Sequence, residues 1–255
     1  MQGDSALGRA LAVVRDLRLR CDWDRAQTPR SLRPYLLEEA HELDQAIKGG
    51  DPLALRDELG DVLLHLAFQI VIAEENSQFN AEAVTHHLEM KMRRRHPHLY
   101  EGVAEPDRET WERNKRRERQ QAAGTLSGLP ATLPALVMAF RLQERAAGVG
   151  FDWPDAAGPM NKVKEETREL DQEMKRGKRD AGSVEDELGD LLFAVVNLAR
   201  KLGVEPNQAL ERANGKFVQR FEAVERLAQE RGLELGRASL EELDRLWEEV
   251  KAKAR

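Results

Sequence analysis

Glu187-Leu188-Gly189-Asp190-Leu191-Leu192 is the stretch that decides the fold. It sets two acids three residues apart at the head of an apolar run. Residues three apart share one face of a helix. Around the acids, Val184, Leu188, Leu191, Leu192, Val195, Val196 and Leu198 predict a helix enclosed by core over most of its circumference. Upstream, Glu166 and Glu169 repeat the same spacing. A turn after Gly177 and before Ser183 lets the two helices fold back antiparallel, so that four carboxylates converge. Like charges that close repel, or raise one another's pKa, unless a cation joins them. The set offers oxygen ligands only, which suits Mg2+ or Mn2+. Mg2+ commonly shares its coordination sphere with substrate phosphates, so the quartet points to a nucleotide.

The arrangement occurs twice. Glu39 and Glu42 precede Glu58-Leu59-Gly60-Asp61. Asp22-Trp23 answers to Asp152-Trp153, Lys91 and Arg95 to Lys216 and Arg220, and Trp111-Glu112 with Lys115 to Trp247-Glu248 with Lys251. Five matches in one order mark an internal duplication. The Gly- and Pro-rich segment 124–134 separates the copies, giving an N-terminal module over 1–123, a linker over 124–134 and a C-terminal module over 135–255.

Periodicity predicts an all-α chain. Helices are expected from Ser5 to about Arg20, from Pro29 to about Lys48, from Pro52 to about Ala73, from Asn80 to before Pro97, and over about 107–121. In the second half they are expected over about 135–147, 156–176, 184–202, 206–231 and 239–253. Asp51, Asn80, Ser183 and Ser239 read as N-caps. Gly49-Gly50, Gly177, Gly203 and Gly232 read as stops. Cys21-Asp22-Trp23-Asp24 and Thr28-Pro29 read as a break.

Composition narrows the function. Charged residues make up 34% of 255 residues, and the formal net charge is -6. That balance argues against binding a DNA or RNA polymer, which needs a basic footprint. The single Cys21 forms no intrachain disulfide. No apolar run is long enough to span a bilayer, and no signal-peptide pattern opens the chain. The expectation is a cytoplasmic protein with no membrane association.

A single Glu-x-x-Glu in so charged a chain is normally a solvated helix face; two copies on apolar helices shift that balance. A di-iron bundle would need Glu-x-x-His from two helices. Glu38-Glu39-Ala40-His41 supplies it once, and the second half has no histidine. His86, His87, His96 and His98 read as structural or surface residues. A helical scaffold whose acids form salt bridges at an interface is the non-enzymatic alternative.

The chain resembles the MazG family of nucleoside triphosphate pyrophosphohydrolases. The resemblance rests on the two Glu-x-x-Glu … Glu-x-x-Asp sets, on Arg94-Arg95-His96-Pro97-His98, on Gly150-Phe151-Asp152-Trp153, on Asn197-Leu198-Ala199-Arg200, and on Asn214 with Lys216-Phe217 and Arg220-Phe221. Asp22 departs from it, since the family usually has proline there. The resemblance implies a helical bundle of two tandem modules pairing into homodimers. It implies Mg2+-dependent cleavage of nucleoside triphosphates to monophosphate and pyrophosphate, broad base tolerance, and a housekeeping or stress role. On it, Glu166, Glu169, Glu187 and Asp190 are the catalytic and metal-binding residues, with Mn2+ a substitute for Mg2+. Lys162, Glu165, Asn197, Lys216, Arg220 and Trp247 are the substrate contacts, and Glu39, Glu42, Glu58 and Asp61 are the first-repeat equivalents.

The neighbours of the two quartets differ. Lys162 lies one turn before Glu166, and the aligned residue in the first repeat is Tyr35. Asn197 lies two turns after Asp190, and its counterpart is Phe68. The second repeat is therefore expected to carry most of the hydrolysis.

Overall fold

A computed structural model describes residues 5–100, 124–176 and 181–253. Eleven helices and no strand are found among them. The chain forms two compact units, Met1–Glu105 and Pro106–Arg255. The helix expected over 107–121, with Trp111, Glu112 and Lys115, and the stop at Gly177 lie outside the described residues.

The first unit contains α1 (Ala6–Arg20), α2 (Asp22–Ala26), α3 (Pro29–Gly49), α4 (Pro52–Glu75), α5 (Ala81–Arg95) and α6 (Pro97–Tyr100). Polar caps fix where these helices begin, because the first backbone N–H groups of a helix lack internal partners. The Ser5 hydroxyl accepts from Gly8 N, Thr28 and Ser31 cap each other reciprocally, Asp51 accepts from Leu53 N, and Asn80 from Ala83 N. Gly50 closes α3 at φ +70°, a left-handed conformation that glycine adopts without steric cost. With only Gly50 and Asp51 between them, α3 and α4 fold back as a hairpin, and α1 packs on α4. Leu11 and Val14, Leu32, and Ala67, Phe68, Val71 and Ile72 meet in one buried cluster.

The second unit contains α7 (Ala135–Ala147), α8 (Ala157–Lys175), α9 (Ala181–Lys201), α10 (Pro206–Glu230) and α11 (Leu240–Lys253). The pair α8–α9 is the counterpart of α3–α4, α7 packs on α9, and α10 and α11 form their own hairpin. Val224, Ala228 and Leu246 are the buried centre of that hairpin, with Trp247 packed against them. Gly203 and Gly232, at φ +69° and +66°, follow α9 and α10 as expected.

Five local expectations change. Residues 22–26 are a short helix rather than a plain break, begun after the extended Cys21. The helix of Glu58 continues to Glu75, and Pro97–Tyr100 forms a further turn. Ser183 is not an N-cap: α9 starts at Ala181, and the Ser183 hydroxyl donates to Glu173 Oε2 at 3.3 Å.

The fifth change concerns α9 itself. In the single chain α9 is not enclosed over most of its circumference. Ala194 and Val196 are buried, but Leu188, Leu192, Phe193 and Val195 are 46, 52, 43 and 44% exposed. The neighbours α7, α8 and α10 leave that side open. The same stripe recurs on α4, where Leu59, Leu63 and Leu66 are exposed at the corresponding positions.

Candidate metal and nucleotide site

The pair α8–α9 carries the second quartet. Ligand oxygens of Glu166, Glu187 and Asp190 lie within 4.8 Å of one another, and so do those of Glu165, Glu166 and Glu169. Glu166 belongs to both groups and is only 3% exposed. The carboxyl of Glu187 is raised above its ordinary value. Desolvation contributes most, followed by the charges of Glu169, Glu166, Asp190 and Glu173.

A cation already touches this cluster. Lys162, one turn before Glu166 on α8, places Nζ 2.5 Å from Glu166 Oε1 and 2.9 Å from Glu165 Oε1. Its ammonium is held well above the ordinary lysine value, first by Glu166 and then by Glu165.

The first unit builds the same cluster from α3 and α4 with different neighbours. Glu39, Glu58 and Asp61 lie within 4.8 Å of one another. The Glu58 carboxyl is raised by desolvation and then by Glu42, Asp61, Glu39 and Asp57. Its Oε2 is buried without a hydrogen-bond partner. Tyr35 stacks on His65 with ring centroids 6.3 Å apart, and His65 Nε2 faces Glu39 Oε1 at 3.7 Å. His65 is absent from the sequence-based site. It lies one turn after Asp61 on the same helix face, which is the signal that could have found it. In both units the donors are crowded carboxylate oxygens, with Glu58 and Glu187 partly desolvated, a set that fits a hard divalent cation.

Other expected residues lie elsewhere in the second unit. Asn197 Oδ1 accepts from Arg200 Nη2 at 2.8 Å, and Arg200 also pairs with Asp152. Lys201 Nζ donates to Trp153 O at 2.6 Å. This network fastens the Asp152-Trp153 turn to the end of α9. The turn also needs Gly158, where an added Cβ would sit 2.4 Å from the Trp153 ring. Lys216 and Arg220 lie on α10, and Trp247 on α11 packs against Phe217 with centroids 5.4 Å apart. The ion pairs described for the quartet come from Lys162 rather than from these residues.

Comparison with known proteins gives this geometry a family. Residues 27–100 and 158–225 each match the MazG nucleotide pyrophosphohydrolase domain. The chain belongs to the MazG family. A Thermotoga maritima protein named nucleoside triphosphate pyrophosphohydrolase/pyrophosphatase MazG is 42% identical over 232 residues, covering 91% of this chain and 89% of that one. The Escherichia coli K12 nucleoside triphosphate pyrophosphohydrolase is 41% identical over 244 residues, 93% of each chain. A protein of the same name from Mycolicibacterium smegmatis is 34% identical over 149 residues, 56% of this chain and 46% of its own. Both MazG matches contain their unit's full quartet. The second also contains Lys162, Glu165, Asn197, Lys216 and Arg220, and it ends before Trp247.

Proposed function

We propose that the chain hydrolyses nucleoside triphosphates to the monophosphate and pyrophosphate, with Mg2+, mainly at the quartet of α8 and α9. The observation that carries this reading is the pair of carboxylate groups sharing Glu166, beside a lysine suited to phosphate. Glu166, Glu169, Glu187 and Asp190 would hold Mg2+, with Mn2+ as substitute, and Glu39, Glu42, Glu58 and Asp61 would hold it in the first module. Bound there, the ion would neutralise phosphate charge and activate a water.

This chain's own groups do the rest. Lys162, Lys216 and Arg220 bind phosphate oxygens, and Glu165 lines the substrate contact beside Lys162. Asn197 and Trp247 contact the nucleotide. The water oxygen bonds to the α-phosphorus, and the bond from that phosphorus to the bridging oxygen breaks. A carboxylate of the quartet accepts the water's proton, and pyrophosphate leaves.

The first module, 1–123, serves as a structural, regulatory or weakly active copy, and 124–134 joins it to the module 135–255. The activity has broad base tolerance and serves a housekeeping or stress role in the cytoplasm. Among the described residues no helix is long and apolar enough to cross a membrane.

Purified protein with Mg2+ and a panel of nucleoside triphosphates is expected to release pyrophosphate and monophosphate in equal amounts. Orthophosphate as first product would indicate a different phosphatase. Release of neither by a folded protein would favour a scaffold.

The open stripes beside the acids support homodimers in which a second copy covers Leu188, Leu192 and Val195, and likewise Leu59, Leu63 and Leu66. Sedimentation equilibrium is expected to give twice the chain mass. Replacing Leu192 by aspartate is expected to shift the chain toward monomer; a monomeric starting protein would dispose of the idea.

A further inference from the structure

We infer that Lys162 is a displaceable counter-ion that couples metal binding to nucleotide binding at the second quartet; this rests on the metal-dependent function proposed above. Glu166 is the carboxylate common to both candidate ligand groups, and it is the buried one. Lys162 occupies one of its oxygens at 2.5 Å. A divalent ion that takes Glu166 into its coordination sphere competes with that ammonium for the same carboxylate. The lysine side chain is about half exposed (45%), so it has room to leave. Once released, its ammonium stands one helical turn from the cluster, where the phosphates of a metal-bound nucleotide would lie.

Two bindings then favour each other. The ion frees the lysine for phosphate, and the phosphates draw the lysine away from Glu166. Such coupling is reciprocal by thermodynamic necessity. The first unit lacks the device. Tyr35 stands where Lys162 would be, and Glu39 faces His65 at the longer distance of 3.7 Å. Metal binding there displaces no ammonium, so the lysine-mediated coupling is confined to the second quartet.

The test uses the full chain carrying Glu58→Gln, so that the second quartet dominates, with Mn2+ binding read by electron paramagnetic resonance. The nucleotide probe is a triphosphate with a methylene group between the α- and β-phosphorus, which resists cleavage. Adding the probe is expected to tighten Mn2+ by about tenfold. Lys162→Met is expected to bind Mn2+ about tenfold tighter without the probe, and to gain less from the probe than the parent does. Lys162→Arg keeps a cation beside Glu166 and is expected to bind like the parent. Lys164→Met removes an equal charge from the same helix and is expected to change nothing. Unchanged or weaker Mn2+ binding in Lys162→Met, or equal tightening in Lys164→Met, overturns the inference alone. Mn2+ binding that survives Glu187→Gln overturns the placement of the metal at this quartet, and with it the proposed function.

Discussion

Glu187→Gln is expected to lower pyrophosphate release by at least about a hundredfold, whereas Glu58→Gln leaves most of it. The two residues are equivalent by sequence, and both carboxyls are raised by desolvation and by neighbouring acids. The asymmetry comes from what surrounds them. Beside Glu187 the cluster has Lys162 as a phosphate-type cation. Beside Glu58 the corresponding position is Tyr35, stacked on His65, and the counterpart of Asn197 is Phe68, buried in the core. Equal losses from both variants, or loss from Glu58→Gln alone, would sink the assignment. The same substitution has a stability signature of opposite sign. A carboxyl raised in the folded state contributes stability that is complete below its ordinary value of 4.5 and is lost as pH rises through the raised value. Above that raised value the charged Glu187 carboxylate therefore works against the metal-free fold. Without metal, Glu187→Gln is expected to melt higher than the parent. Mg2+ is expected to raise the melting temperature of the parent more than that of the variant.

The sequence made the helices and both quartets legible because each rests on local rules. Asp51 and Asn80 cap where a short polar side chain precedes a periodic run, and Gly203 and Gly232 follow the last turns. Glu187 and Asp190 share a face because three residues nearly complete a turn. Among the described residues helix ends moved by a turn at most, and Ser183 lost its expected cap because it lies inside α9. Features that depend on distant partners stayed hidden. Lys162 is not one of them: Glu165 and Glu166 lie three and four residues on along the same helix, so their pairing with it follows the same local rule. Leu188, Leu192 and Val195 read as core because periodicity reports that a face is apolar without reporting what covers it. Asn197 lies on a helix face consistent with the site, yet its carbonyl oxygen is taken by Arg200, which is held in turn by Asp152 across 48 residues of chain.

Arg18 is the clearest case of such a long-range partner, and Arg18→Ala is expected to be among the most destabilising single changes in the first unit. Arginine near the end of a charged helix reads as a solvated residue, yet Arg18 is only 8% exposed. Its Nη1 donates to the carbonyls of Asp24 and Gln27 at 2.7 and 3.1 Å, while Nε and Nη2 grip both carboxylate oxygens of Glu75 at 2.8 and 2.6 Å. One guanidinium thus ties α1 to the end of α2 and the end of α4, the helix that carries Glu58 and Asp61. Truncation leaves the Asp24 carbonyl without this donor and removes the pairing of Glu75. Glu75 is partly exposed and recovers water, so the loss is set at about 3 kcal/mol, the low end for breaking a buried pair. Arg20→Ala removes an exposed pair with Asp16 on the same helix and is expected to cost less than about 1 kcal/mol. Arg18→Lys restores only part of the loss, because one ammonium cannot reach the carbonyls and grip the carboxylate as a fork does. The Glu75 carboxyl is lowered chiefly by its hydrogen bond from Arg18. The corresponding stability is present above the ordinary value of 4.5 and is lost as pH falls through the lowered one, so the gap between Arg18→Ala and the parent narrows in acid. Hydrogen exchange read by mass spectrometry localises the effect: peptides from α1, α2 and α4 lose protection, and those from α10 and α11 keep theirs. An Arg18→Ala chain as well protected in α1 and α4 as Arg20→Ala would show that the fork adds nothing beyond a surface ion pair.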